Sequence, residues 1–322
     1  MQPTVVIAYG SADDSQIERD LLGPIDARLV HVGGTETAEA RAAIAQADAI
    51  MVTTHRVPSD LIAAMERCRV ISRAGTGLDA IDLSAAGARG IWVAYVPDYS
   101  IDEVSSHAIA LLLAHARGLL PLLAAGRVGS WTNQSAVPLR RLRGQTLGIF
   151  GFGRIGQAVA AKASGLGMQV QAHDRFLSPE QIAAAGARPV DWETLLRTSD
   201  YLSLHAPLTS ETNAAINAQS LALMKPTAML INTARGGLID EEALDEALRA
   251  GRLAGAALDV LITEPPSSEH LLLKNPRAMI TPHSAWYSEE ASYDVRVRAA
   301  EEVVRVLSGE RPRCPANSLS PA

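Results

Sequence analysis

The sequence predicts an α/β protein made of two Rossmann-like or flavodoxin-like α/β domains with mainly parallel sheets. Three observations predict it. At 322 residues the chain exceeds what one hydrophobic core usually serves, so two domains are expected. Short apolar runs alternate with helical patterns, and parallel strands need a crossover helix between them. A glycine-rich stretch, Gly151-Phe152-Gly153-Arg154-Ile155-Gly156, stands between a strand-like run and a helical one, and 145 residues precede that strand. Those residues suffice for a separate domain.

The elements follow in order. A strand at residues 5–8 leads into a polar, helix-compatible stretch at 11–22. A second apolar run at 49–53 precedes a helix at 59–65. A third run at 70–73 ends in Ala74-Gly75-Thr76-Gly77. After Val96-Pro97-Asp98 the pattern changes, and residues 100–120 read as one long apolar helix. Ser100 and Glu103 are spaced for a capping box there, and Pro121 and Gly126 loosen its end. Residues 128–143 read as an irregular, basic-tipped arm. A second alternating series runs from Thr146 to about Ala285, followed by a helix at 289–307 and a Pro-rich tail from Pro312. No solenoid-type repeat is visible.

The glycine stretch sits in the context that gives such a motif meaning. The run Thr146-Leu147-Gly148-Ile149-Phe150 feeds it, a helix at 157–163 follows, and the next strand-like run ends in Asp174, 18 residues beyond Gly156. In a dinucleotide fold Gly151 permits the tight turn, Gly153 the approach of the pyrophosphate, and Gly156 the contact of helix with strand. The helix N-terminus supplies amide donors to phosphate. Asp174 would accept the adenosine ribose hydroxyls and repel a 2′-phosphate, so NAD is expected over NADP. The basic side chain of Arg175 works in the other direction.

A net charge of −6 gives no electrostatic pull toward nucleic acid or an anionic membrane. No apolar run approaches the roughly 18 residues of a membrane span. The start of the chain has neither a basic region nor a cleavage pattern, so no leader is expected. Cys68 and Cys314 are the only cysteines and have neither metal-ligand spacing nor a disulfide framework, which fits a reducing cytoplasm and no metal.

Three separated residues have the chemistry to handle a carboxylate and a carbonyl. Arg235, in Asn232-Thr233-Ala234-Arg235-Gly236-Gly237, can grip a planar carboxylate with two parallel hydrogen bonds. His283, in Thr281-Pro282-His283-Ser284-Ala285-Trp286, can move the proton when a carbonyl becomes an alcohol. Glu264, ahead of Pro265-Pro266, can orient that imidazole and hold it charged.

Several segments, in this order, resemble the D-isomer-specific 2-hydroxyacid dehydrogenases. They are Arg73-Ala74-Gly75-Thr76-Gly77-Leu78-Asp79, Leu204-His205-Ala206-Pro207-Leu208-Thr209, residues 232–241, Gly255-Ala256-Ala257-Leu258-Asp259-Val260 and the His283 segment. L-specific lactate and malate dehydrogenases, by contrast, begin with the nucleotide fold. Within the family the nearest likeness is to the C-terminal-binding protein branch and its bacterial relatives, carried by residues 281–289 and by Arg73. Animal members of that branch are corepressors that sense NAD(H) and retain dehydrogenase chemistry.

The resemblance implies an NAD-dependent 2-hydroxyacid dehydrogenase working mainly as a 2-oxo acid reductase. His283 is then the general acid/base, Glu264 its partner, and Arg235 the holder of the substrate carboxylate and oxo oxygen. Thr76 and Gly77 add backbone amides for the carboxylate and Arg73 a second positive charge. Arg154 and Ile155 lie at the phosphate turn. His205, Ala206, Pro207 and Thr212 line the adenosine and pyrophosphate, Thr233 and Ala234 flank the nicotinamide, and Asp259 accepts a bond from its carboxamide. Trp286, three residues after His283, would share a helix face with it and form an apolar wall for a thioether-bearing oxo acid. The implied domains are 1–98 with 289–322 for substrate and 99–288 for NAD, closing on a cleft between them. The helix from residue 101 and the arm that follows suit a homodimer surface. An NAD(H)-sensing regulatory protein and a glyoxylate or hydroxypyruvate reductase are the alternatives. A long-type phosphoglycerate dehydrogenase needs a C-terminal regulatory domain for which the residues after the last helix leave no room. Glu264 argues against a formate dehydrogenase, which uses a glutamine there. Beyond a small-molecule substrate and a second copy of the chain, no partner is expected.

Overall fold

In a computed structural model, the apolar runs form strands joined by parallel ladders. The structure describes residues 2–11, 13–134 and 138–319. Ala12, residues 135–137 of the expected arm and the last three residues of the expected tail lie outside the described residues. The chain divides into two units, residues 1–99 with 288–322, and Ser100–Tyr287.

The first unit runs through β1 (Thr4–Ala8), α1 (Gln16–Leu22), β2 (Arg28–His31), α2 (Ala38–Ala45), β3 (Ala49–Val52), α3 (Ser59–Ala64), β4 (Val70–Arg73), α4 (Leu83–Ala88) and β5 (Trp92–Tyr95). The second begins with α5 (Ile101–Ala116) and α6 (Leu119–Arg127), then β6 (Thr146–Phe150), α7 (Arg154–Gly165), β7 (Gln169–His173), α8 (Pro179–Ala184) and β8 (Arg188–Pro189). It continues with α9 (Trp192–Thr198), β9 (Tyr201–Leu204), α10 (Ala218–Leu223), β10 (Met229–Asn232), α11 (Glu241–Arg249), β11 (Gly255–Leu258) and β12 (Ala278–Ile280). The chain then returns to the first unit as α12 (Glu289–Leu307).

In the first unit the strand order is β2-β1-β3-β4-β5. Alternate residues feed two cores. Val6, Ala8, Ile50, Val52 and Ile71 pack with α2, α3 and α4 on one face. Val5, Ile7, Met51 and Val70 pack on the other against Leu22 of α1 and Val295, Ala299 and Val303 of α12. Burial on both faces is why these strands read as unbroken apolar runs. The described part of the Pro-rich tail is pinned to β5: Ala316 N donates to Val93 O (2.7 Å) and Val93 N to Asn317 Oδ1 (2.9 Å), which covers the open edge there.

In the second unit the order is β12-β11-β10-β9-β6-β7-β8. From β6 the chain builds outward first through β7 and β8, then on the other side through β9 to β12, so the switch point lies between β6 and β9. Leu112 of α5 and Val159 of α7 share one core with Leu147 and Ile149. Leu196, Leu221 and Leu244 of α9, α10 and α11 pack on the opposite face against Leu202 and Leu230.

Several local expectations need correction. Helix α1 starts at Gln16 because Ser11 and Asp14 bond to each other (Oγ to Oδ2, 3.1 Å) and close a turn instead. The single helix expected at 100–120 is two. It stops at Ala116, Gly118 takes the left-handed region at φ +58°, and α6 leaves at a 63° bend. Pro121 falls in the first turn of α6, where its missing N–H costs nothing. The Ser100 side chain makes no cap bond, because its backbone (φ −129°, ψ 28°) lacks the extended conformation a cap needs. No single helix among the described residues is long and apolar enough to cross a membrane. The bent pair α5 and α6 together would be, but α5 is largely buried in its own unit.

Glu18 of α1 is fully buried and ties that helix to α12. Arg296 grips it through Nε (2.8 Å) and Nη2 (2.6 Å), and the Tyr9 hydroxyl donates at 3.0 Å. Burial alone would raise the Glu18 carboxyl, but the bonds from Arg296 and Tyr9 outweigh it and hold it below its usual value. A depressed folded value contributes stability above the ordinary carboxylate range that is lost as pH falls through it. Glu18→Gln should therefore cost roughly 3 kcal/mol at pH 7 and flatten the acid loss of stability. Urea unfolding at pH 7 and pH 4 checks this, and parallel acid losses in variant and wild type would contradict it.

Candidate active site

The turn after β6 is set by two close approaches. Gly151 has φ +88°, and a Cβ there would lie 2.4 Å from Ala206 N, so this turn rests on the backbone leaving β9. A Cβ on Gly156 would lie 2.4 Å from Gly151 O, so the first turn of α7 closes onto the same turn. Gly153 is different. It caps α7 without a side-chain bond, and a Cβ there would meet nothing within 4 Å. The amides of Arg154 and Ile155 thus open onto free space at the switch point, and this cradle fits a dinucleotide pyrophosphate. Arg154 is exposed, whereas the Ile155 side chain packs into the core and offers only its amide.

Asp174, just after β7, bonds to the glycine turn. Its Oδ2 accepts from Phe152 N (2.6 Å) and its Oδ1 from Phe176 N (2.8 Å) and Leu177 N (3.1 Å). Oδ2 keeps a lone pair for a ribose hydroxyl. Arg175 pairs with Glu211 in the loop after β9. In that loop Ala206 is buried and Pro207 exposed. The Thr212 hydroxyl donates to Pro207 O (2.6 Å) and accepts from Thr209 N (2.8 Å), so it is engaged in folding the turn. His205 Nε2 meets Ser203 Oγ at 2.8 Å, and burial pushes the imidazole down to about 4. The ring is neutral at physiological pH and carries no charge to a phosphate.

At the end of β10, fully buried Asn232 clamps the turn that carries Arg235. Its Oδ1 accepts from Ala234 N (3.0 Å) and its Nδ2 donates to Arg235 O (2.8 Å). The sequence reading gave Asn232 no role; an Asn at a strand end that folds back on the next residues was the available signal. Arg235 Nη1 donates to Ala234 O (2.6 Å). The Thr233 hydroxyl is buried without a partner. A Cβ on Gly236 would come 2.0 Å from the Leu261 carbonyl carbon, so the chain leading to Glu264 packs directly on this turn. Glu241 holds the same segment, accepting from Ile262 N (2.9 Å) and meeting His270 Nε2 (3.1 Å).

These supports meet at Glu264 and His283. Glu264 Oε1 accepts from Leu261 N (2.8 Å), and Oε2 lies 2.5 Å from His283 Nδ1. Burial would raise the Glu264 carboxyl. The hydrogen bonds from His283 and Leu261 N, with the charges of His283 and Arg235, bring it below its usual value. His283 has φ +49°, an uncommon conformation for a residue with a side chain. Asp259 sustains it. His283 N donates to Asp259 O (2.8 Å), and the buried carboxylate accepts from Thr281 Oγ1 (2.5 Å), Ser284 N (2.9 Å) and Ala285 N (2.9 Å). His107 of α5 reaches Thr281 Oγ1 at 3.0 Å behind it. Asp259 is thus first the builder of the His283 loop, with a lone pair on Oδ2 left over.

That loop overturns one expectation. Trp286 does not share a helix face with His283. Residues 284–287 form a turn closed by Tyr287 N to Ser284 O (3.0 Å), and the helix begins only at Glu289. The Ser284 and Ala285 amides already serve Asp259, and Ser288 caps the helix instead. The Trp286 ring packs edge-on against Tyr287.

In the first unit, Arg73 braces its own loop. Its Nε donates to Gly77 O (3.0 Å) and its Nη1 to Ala74 O (2.5 Å), with the guanidinium filling the space a Cβ of Gly75 would need. Thr76 is held by its hydroxyl on Val96 O (3.1 Å). Among the described residues, no group of three or more His, Cys, Asp or Glu could hold a metal.

Residues 109–285 match the model of the D-isomer specific 2-hydroxyacid dehydrogenase NAD-binding domain. The chain is 40% identical over 277 residues to a glyoxylate reductase of Thermococcus litoralis, covering 84% of this chain and 83% of that one. It is also 40% identical over 263 residues to a D-3-phosphoglycerate dehydrogenase of Archaeoglobus fulgidus, covering 81% of this chain and 50% of the relative. The chain spans about half the length of the phosphoglycerate dehydrogenases it matches. Among solved structures, the NADPH-dependent glyoxylate/hydroxypyruvate reductase of Sinorhizobium meliloti, in complex with NADP and malonate, superimposes with a TM-score of 0.84 at 30% identity. That superposition covers 98% of this chain and 97% of that one.

The packing of Gly236 can be tested directly. Gly236→Ala should push the 261–262 backbone away, open the Glu264–His283 contact and cost about 1–3 kcal/mol through overpacking. A crystal structure with thermal unfolding checks it, and an unmoved contact at unchanged stability would contradict it.

Proposed function

The chain belongs to the D-isomer specific 2-hydroxyacid dehydrogenase family, and we propose that it reduces a 2-oxo acid to the D-2-hydroxy acid with NADH, using His283 as general acid. One observation carries this reading: His283 Nδ1 is engaged by Glu264 at 2.5 Å, which leaves Nε2 as the atom that delivers a proton.

When bound, the nicotinamide supplies the hydride for C2 of the substrate. The chain's own residues supply position and proton. Arg235 grips the carboxylate and aligns the oxo group, while Thr233 and Ala234 flank the ring. Asp259 orients the carboxamide through its remaining lone pair. As the carbonyl oxygen gains negative charge, His283 Nε2 gives it a proton, and Glu264 stabilises the imidazolium beforehand. The Arg154 and Ile155 amides hold the pyrophosphate and Asp174 the ribose. For the first unit, the Gly75–Leu78 turn, stiffened by Arg73, is proposed to present the Thr76 and Gly77 amides to a carboxylate.

A short oxo acid such as glyoxylate or hydroxypyruvate is the favoured substrate, supported by the Thermococcus litoralis glyoxylate reductase and the Sinorhizobium meliloti glyoxylate/hydroxypyruvate reductase, each matched over most of both chains. Trp286 remains a proposed apolar contact, now from a turn. We also place the protein in the cytoplasm as a homodimer. Leu119, Leu120 and Leu123 of α6 are 44–58% exposed, and Trp131 in the following segment is 97% exposed, which suits a surface that a second copy covers. The alternative NAD(H)-sensing role of the C-terminal-binding protein branch rests on residues 281–289; it needs the dinucleotide cradle but not the Glu264–His283 pair.

NADH oxidation against a panel of 2-oxo acids separates the two readings. His283→Ala should lower turnover by about 10² or more while leaving NADH affinity within error. Glu264→Gln should move the alkaline limb of the reduction profile to lower pH, because the charge favouring imidazolium is gone. No turnover with any oxo acid, or an unchanged profile in Glu264→Gln, would contradict the proposal.

A further inference from the structure

Asp174 does not by itself decide between NAD and NADP, because a cation follows it. The fold leaves the choice open as well, since the Sinorhizobium meliloti reductase carries NADP. In this chain β7 and β9 flank β6, so the loops that follow them border the Gly151–Gly156 turn on its two sides. Arg175 of the first loop forms an ion pair with Glu211 of the second, at 62% and 58% side-chain exposure. We propose that Glu211 is a specificity-determining residue that withholds Arg175 from a 2′-phosphate and so favours NAD. The inference rests on the dinucleotide reading given above.

Exposed ion pairs are usually weak because two flexible side chains must be ordered. Here both backbones are fixed beforehand. Arg175 follows Asp174, whose carboxylate takes three amides. Glu211 sits in a turn closed by Thr209 N to Thr212 Oγ1 (2.8 Å), Thr212 Oγ1 to Pro207 O (2.6 Å) and Asn213 N to Thr209 O (2.9 Å). Charge points the same way. Asp174 and Glu211 against Arg175 leave one net negative charge facing a phosphate that carries nearly two. Without Glu211 that rim is neutral, and the guanidinium fork is free for a bidentate phosphate contact.

The test is binding, by calorimetry and by NADH and NADPH fluorescence, of adenosine 2′,5′-bisphosphate, AMP, NADH and NADPH. The proteins are wild type, Glu211→Gln, Arg175→Ala and the double variant, each checked for unchanged thermal unfolding. Glu211→Gln should bind NADPH and the 2′,5′-bisphosphate about 10-fold tighter, with NADH and AMP within about twofold. Arg175→Ala alone should change little, and the double variant should lose the gain. An unchanged NADPH-to-NADH ratio in Glu211→Gln, or a gain that survives without Arg175, overturns the inference while leaving the dinucleotide reading intact. Wild type binding neither NADH nor NADPH overturns both.

Discussion

A carboxylate and an imidazole 2.5 Å apart, Glu264 and His283, are what the loops of the second unit are arranged to hold. Neither residue stands on a helix or strand. Glu264 is fixed by Leu261 N, by the packing of Gly236 on the Leu261 backbone, and by Glu241 gripping Ile262 N. His283 is fixed from the other direction, its positive φ maintained because Asp259 takes the amides on its C-terminal side and its own carbonyl takes the His283 amide. A buried carboxylate with three donors is well compensated. The cost of burying Asp259 is thereby offset, and the same bonds fix the geometry of the side chain proposed to move a proton.

The dinucleotide cradle follows a different logic, that of close backbone contact. Gly151 and Gly156 have no room for a Cβ, whereas Gly153 has nothing in front of it. Two glycines are therefore required by packing, and the third leaves open the space proposed for the pyrophosphate. Asp174 links the turn to its proposed ligand, since the carboxylate proposed to take the ribose also holds Phe152 N in the turn.

Much of this was legible in the sequence, and the remainder was hidden for identifiable reasons. The βα alternation and the glycine spacing are local, so strands β1, β3, β4 and β6 and the nucleotide turn could be read directly. So could the contact between Glu264 and His283, because each sits in a short stretch whose residue types carry chemistry. Strand β2 was missed because it is a half-exposed edge strand, and β5 because only its two middle residues are buried, with half-exposed aromatics at either end. The break at Gly118 was not read, only a loosening at Pro121 and Gly126, since a sequence does not reveal which residue adopts a left-handed conformation. Two supports of the site, Glu241 and His107, lie far along the chain from the groups they brace, and only the fold brings Glu241 to Ile262 or His107 to Thr281. The helix expected around Trp286 failed for the opposite reason, because a local helical rule was applied to amides that Asp259, 25 residues before Ser284, had already claimed.

The account stands on hydride transfer to C2 with a proton from His283. The most direct test incubates the protein and a panel of short 2-oxo acids with NADH deuterated at C4, and analyses the products by mass spectrometry and chiral separation. The account predicts deuterium on C2 of a D-2-hydroxy acid. An unlabelled product, a labelled L-enantiomer, or no product from any oxo acid would contradict it.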